Sequence, residues 1–147
     1  MKQLIYLVLI FAILFISSVG NARNEVLRFS IDDAMTQPEA ASKLDDSVRM
    51  FFGDQEHPAV EREIGTYTSN KKTNAFNKSD KEACERAFLS AMIALQSRAI
   101  QAGGNAVVNI HSYYYKSEFS SATEFECGAG NVVAGVTMVG DVVKLAE

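Results

Sequence analysis

The chain has 147 residues, 48% of them hydrophobic and 22% charged, with a net charge of −4. That is enough apolar material for one domain with a single core. A mildly acidic balance does not suit a binder of phosphate backbones, so no nucleic-acid partner is expected.

The chain opens with a short basic stretch, Met1-Lys2-Gln3, followed by an apolar run from Leu4 to Ile16 and then by Ser17-Ser18-Val19-Gly20-Asn21-Ala22. This is the layout of a secretory signal peptide, with Gly20 and Ala22 at the −3 and −1 positions of a cleavage site. The apolar run is too short for a membrane-spanning helix, which needs about 20 residues. The first cysteine is Cys84, so no lipid-anchor cysteine follows the expected cut. The expectation is a leader over residues 1–22, a periplasmic or secreted location, and a single domain over residues 23–147 without membrane span or lipid anchor.

Residues 23–46 read as a less ordered, helical N-terminal extension: Ser30 can cap a short turn through Met35, and Pro38 suits the first turn of a second. Val48 to Phe52 has strand composition and ends at Gly53-Asp54, and Val60 to Thr68 forms a second strand. Ser69 to Lys78 is polar, carries Lys71, Lys72 and Lys78, and reads as a loop. Such a loop is either simply solvated or a grip for an anionic partner such as a lipid headgroup or polysaccharide. Ser79 with Glu82 then makes a capping box, and a helix is predicted from Asp80 to Ala102, ended by Gly103-Gly104. Cys84, Phe88, Ala91, Leu95, Ala99 and Ala102 recur at helical spacing along its buried stripe.

Alternation predicts a strand over Ala106 to Lys116, a turn over Ser117 to Ala122, and a return strand from Thr123 to Cys127 as its hairpin partner. Asn131 to Val139 is a further strand, with Gly135 a bulge or close-approach point. Val142 to Leu145 is a last strand or its continuation. The predicted class is α+β, one long helix packed on an antiparallel sheet in the order β-β-α-β-β-β. Cys84 and Cys127 both face the core, and in an exported chain two such cysteines pair most simply as one disulfide. The rival reading, a redox or metal-binding thiol pair, lacks a Cys-x-x-Cys spacing or neighbouring histidines.

The hairpin's outer face is the candidate binding surface. Asn109, His111, Tyr113 and Tyr115 share one side of the first strand, and hairpin pairing sets Tyr115 opposite Glu124 and Tyr113 opposite Glu126. Exposed tyrosines among carboxylates and an imidazole offer broad contact area with polar tips. The alternative is that the N-terminal extension or a neighbouring subunit covers them. His111 with Glu124 or Glu126 would give a partial metal site, but His-x-His, His-Glu-x-x-His and cysteine clusters are all missing, and His57 before Pro58 reads as a surface residue. No Gly-x-Ser-x-Gly elbow occurs, and Gly103-Gly104 sits at the wrong helix end for phosphate. No catalytic residue, metal or cofactor is expected.

The stretches Phe51-Phe52-Gly53-Asp54-Gln55-Glu56-His57-Pro58, Ser69 to Asp80, Gly103-Gly104-Asn105-Ala106-Val107-Val108-Asn109-Ile110 and Glu118-Phe119-Ser120-Ser121 together resemble a family of small exported bacterial proteins labelled "excinuclease ATPase subunit". The resemblance implies export. The label implies a Gly-x-x-x-x-Gly-Lys-Ser/Thr loop and zinc-binding cysteine clusters, and the chain carries neither. An exported protein also has no access to chromosomal DNA, so the label reads as a misannotation. More distantly, the helix ending in Gly-Gly-Asn-Ala before an apolar strand is similar to YbjQ-like and RcsF-like domains. That likeness implies a helix on a curved sheet and, for YbjQ-like proteins, a ring-shaped homo-oligomer. The functional expectation is a non-enzymatic binding or sensing module of the bacterial envelope, whose partner is an envelope protein or a small ligand. The alternative is a metal- or small-ligand-binding periplasmic domain.

Overall fold

The computed structural model describes residues 22–147, so the expected leader lies outside the described residues except for Ala22. Six strands and three helices are present: β1 Glu25–Ser30, α1 Ile31–Met35, α2 Pro38–Lys43, β2 Arg49–Phe52, β3 Val60–Asn74, α3 Asp80–Ala102, β4 Ala106–Ser112, β5 Glu124–Ala129 and β6 Val133–Leu145. A 3-10 turn, Tyr114–Lys116, lies between β4 and β5. The class is α+β with one long helix, and the sheet is mixed.

The sheet is organised around β6. One of its edges pairs antiparallel with β3 along nearly its whole length, from Asn74↔Val133 to Val60↔Leu145. The other edge is shared, first by β5 through Gly128↔Gly135 and Ala129↔Ala134, then by β4 from Ser112↔Met138 to Ala106↔Val143. Beyond β5 lies β1, antiparallel; beyond β4 lies β2, and that pair is parallel. The all-antiparallel expectation therefore fails at β2. Chain direction explains it: α3 returns the chain along the sheet, so β4 enters at the end where β2 began, and Arg49 N–H reaches Asn105 O at 3.0 Å.

Two further expectations change. The segment read as a helical extension begins with a strand, and β1 takes the partner role that the hairpin reading gave to the chain before Lys116. In place of that hairpin ladder there is the Ser112↔Phe119 bridge, with Ser112 Oγ accepting the Glu126 N–H at 2.9 Å. The polar stretch Ser69 to Lys78 is loop only from Ala75 onward, because β3 runs on to Asn74. Each of its residues from Thr66 to Asn74 has a partner on β6, and ladder pairing overrides the weak strand preference of lysine and asparagine.

Helix α3 forms where local signals are strongest. Ser79 Oγ accepts the Glu82 N–H at 3.1 Å, and Gly103 closes the far end at φ 79°, a left-handed cap that glycine adopts without strain. Only half of the capping box forms, since the Glu82 carboxylate pairs with Arg86 instead. The apolar stripe of α3 covers the sheet, and Phe88, Met92, Leu95 and Cys84 are fully buried there. Phe88 stacks on Phe125 at 4.2 Å between ring centroids, with Phe52 and Phe29 at 6.0 and 6.1 Å on either side. Four rings thus tie β2, α3, β5 and β1 into one core. Cys84 and Cys127 lie within it at disulfide distance, with Cα atoms 5.8 Å apart. Gln96 fastens the approach to β2 by accepting from Asp45 N–H at 2.7 Å and donating to Asp45 O at 2.6 Å.

Candidate functional site

The six residues expected on one hairpin face are not set out by a regular hairpin, because β4 ends at Ser112; Glu126 still lies beside that end, its N–H donating to Ser112 Oγ at 2.9 Å. Asn109 stands at φ 51°, and the register of β4 shifts between Val108 and His111. This left-handed residue breaks the alternation on which the face depended. The Asn109 amide donates to Asp141 Oδ2 at 3.1 Å, and His111 Nδ1 donates to Asn109 O at 2.7 Å. Glu124 lies opposite Ser30. Glu126 pairs with Arg28 at 3.3 Å, whose guanidinium also covers the Phe119 ring at 3.9 Å. Tyr113 donates its N–H to Thr137 O. The strand pairing expected for this set is therefore not formed, and among the described residues no group of three or more His, Cys, Asp or Glu could hold a metal ion.

One member of the set, Tyr115, does stand in a cleft. Its companions are Tyr114, Asn24, Lys72 and the backbone of Gly128 and Gly135, in a cavity of about 420 Å³. The floor follows from strand register. Gly128 and Gly135 are direct cross-strand partners, and Lys72 lies opposite Gly135 on the next strand. Two adjacent positions without side chains leave a slot, and the Tyr114 ring fills it: a Cβ on Gly128 would stand 1.8 Å from the Tyr114 hydroxyl oxygen. Tyr115 packs on Tyr114 with ring centroids 4.4 Å apart and is 70% exposed. The Asn24 amide donates to the Tyr115 hydroxyl at 2.8 Å. Both Tyr115 and Lys116 are left-handed, at φ 50° and 62°, a conformation that costs a bulky residue on the order of 1 kcal/mol or more.

The two phenols differ electrostatically. Burial pushes Tyr114 up to about 12, and its hydrogen bond and charge repulsion with Tyr115 add to the rise. Tyr115 moves the other way: the Tyr114 hydroxyl, then the Asn24 amide, then the nearby Lys72 ammonium favour its phenolate and hold its pKa below the ordinary value. The cleft therefore presents a polarised phenol, a cation and an amide around an aromatic surface. Strand alternation in the sequence points to Tyr115 but not to Tyr114, Asn24 or the glycine pair. The available signal was a pair of glycines on adjacent strands near a run of three tyrosines, which marks a ring seated on backbone.

Beside the cleft, Arg23 grips Asp80 through two hydrogen bonds of 2.6 and 3.0 Å and reaches Glu25 at 2.9 Å, so the start of the described chain is clamped to the first turn of α3. Among the described residues no helix is long and apolar enough to cross a membrane. No family model, curated protein or solved structure matches this chain.

Proposed function

We propose that the chain is an exported binding module of the bacterial envelope, without a catalytic role, and that it engages its ligand at the Tyr114–Tyr115 cleft. The observation that carries this reading is Tyr115 itself. A large aromatic side chain is held in a disfavoured backbone conformation, braced by Asn24 and Tyr114, and still presented to solvent. Backbone strain of this kind is retained where the surroundings over-determine it, and it clusters at active sites, ligand clamps and switches. A braced tyrosine also loses little entropy on binding, which is why aromatic anchors dominate recognition surfaces. Export is supported by the leader-like first 22 residues and by a cysteine pair at disulfide distance. The resemblance to small exported proteins supports the same location.

The test is capture from solubilised envelope, using protein exported and processed by the expressing cell as bait. Wild type should retain a ligand that Tyr115→Ala and Asn24→Ala lose by roughly tenfold or more, the scale of a truncated aromatic anchor. Equal retention by wild type and Tyr115→Ala would remove the cleft from the function.

A further inference from the structure

Among the described residues, five of the seven large apolar side chains left exposed lie toward one end of the sheet, while Val60 and Ile100 stand apart from them. Tyr115, Val132 and Val133 line or border the cleft, and the latter two are 61% and 48% exposed. Phe76, also 61% exposed, follows directly on Ala75, whose N–H bonds to Val132 O at 2.7 Å. Val26, on β1 opposite Gly128, continues the same cross-strand row. Exposed apolar side chains gathered at one end of a domain among polar residues mark an interaction surface.

The rim is basic. Residues 69–79 contain Lys71, Lys72 and Lys78 and no acid, residues 112–117 contain Lys116 and no acid, and residues 127–140 contain no charged residue at all. Among the described residues these four lysines form no ion pair. Of the acids that flank these stretches, Glu25 and Asp80 are held by Arg23 and Glu82 by Arg86, while Glu118 follows Lys116 by two residues. The protein's net charge of −4 does not cancel this local field. Glu61 and Glu63 sit at the opposite end of β3 from Lys71 and Lys72. At about 3.3 Å per residue that separation is roughly 30 Å, several times the Debye length at physiological salt.

We propose that this end of the molecule docks on a membrane surface bearing anionic lipids, with Phe76, Val132 and Tyr115 entering the interface and the lysines meeting the headgroups. Lysines ringing exposed aromatic and aliphatic side chains are the pattern of interfacial binding, and their stems reach past an apolar surface to charge. A hydrophilic polyanion would meet the same lysines but would leave Phe76, Val132 and Val133 without a role. The proposal deepens the binding-module reading by giving the Tyr115 end a partner.

The probe is flotation with two vesicle preparations, phosphatidylglycerol and phosphatidylcholine in equal parts and phosphatidylcholine alone. The protein is the exported, processed form, its N-terminus checked by mass spectrometry so that no apolar leader confuses the result. Binding to the anionic vesicles only, weakened by added salt, is expected. Replacing Lys71 and Lys72 together by glutamine should cost roughly 25-fold, about fivefold per charge. Phe76→Ser or Val132→Ser, both at exposed positions and so neutral to folding, should each weaken binding several-fold. Binding to neither preparation, equal binding to both, or indifference to Phe76→Ser and Val132→Ser overturns the proposal. So does equally tight binding of dextran sulfate that ignores those two substitutions, which identifies a polyanion site. Vesicle indifference with Tyr115-dependent envelope capture intact sinks the lipid assignment alone, whereas Tyr115-independent capture sinks the cleft.

Discussion

A Cβ on Gly128 would fall 1.8 Å from the Tyr114 hydroxyl and 2.2 Å from its ring, so alanine there has to displace a side chain rather than a backbone. Tyr114 would swing out of its slot, and the desolvation that raises its pKa to about 12 would go with it. Gly128→Ala should therefore bring the Tyr114 transition back toward the ordinary phenol value near 10, read by tyrosinate absorbance, at a stability cost of about 1 kcal/mol. The linkage has a definite sign. A raised folded pKa gives a contribution that is fully present below the unfolded value and is lost as pH rises through about 12. Wild type should lose stability over that alkaline window and Gly128→Ala should lose less; identical alkaline profiles would show that the ring does not owe its pKa to the slot. Tyr115 tests the opposite direction, since Asn24→Ala removes a donor that favours its phenolate and should raise its transition. At this scale the sequence was only half readable. Alternation picks out Tyr113 and Tyr115, but the left-handed turn at Tyr115 and Lys116 falls on residues that carry no glycine or asparagine to announce it.

Elements whose ends are written locally could be read in the sequence, and elements defined by distant partners could not. Helix α3 carries a capping serine, acids in its first turn and a left-handed glycine at its end, and it occupies the residues its spacing predicts. β3 has none of this: Asn70, Lys71, Lys72 and Asn74 look like loop until β6 lies beside them. β1 was missed for the same reason, because its pairing with β5 joins residues about a hundred positions apart. The helix cap can be weighed directly. Ser79→Ala removes the acceptor for the Glu82 N–H and should cost about 1 kcal/mol, seen as a lower urea midpoint at unchanged slope. The Arg23 clamp on Asp80 remains in that variant and limits fraying. A loss well above 2 kcal/mol would mean that Ser79 does more than cap.

For the molecule as a whole, the α+β class, the helix covering a sheet and the inward-facing cysteines follow from periodicity, whereas the sheet order needs the folded chain. That order gives the cysteine pair a particular task. The ribbon of β1 and β5 joins the rest of the sheet through just two ladder pairs, Gly128↔Gly135 and Ala129↔Ala134, and the Glu126 N–H bond to Ser112 Oγ. Cys84–Cys127, the stacked Phe88 and Phe125 and, just before β1, the Arg23 clamp on Asp80 hold it to α3. Closing a loop with a sequence separation of 43 contributes about 4 kcal/mol by chain entropy. Replacing both cysteines by alanine should lower stability by roughly 2–5 kcal/mol, and the loss should not be evenly spread. Amide exchange should accelerate most in β1 and β5, while β3 and β6, paired along their full lengths, keep their protection. Uniform acceleration across the sheet would show that the bond acts on the unfolded chain alone. Asn24 adjoins this ribbon and Gly128 lies within it, so its loosening withdraws the brace from Tyr115 and the seat from Tyr114. The double variant should lose envelope capture even under conditions where its helix and its β3–β6 pair remain folded, which makes the oxidised state of the cysteines a condition for the cleft and not only for the fold.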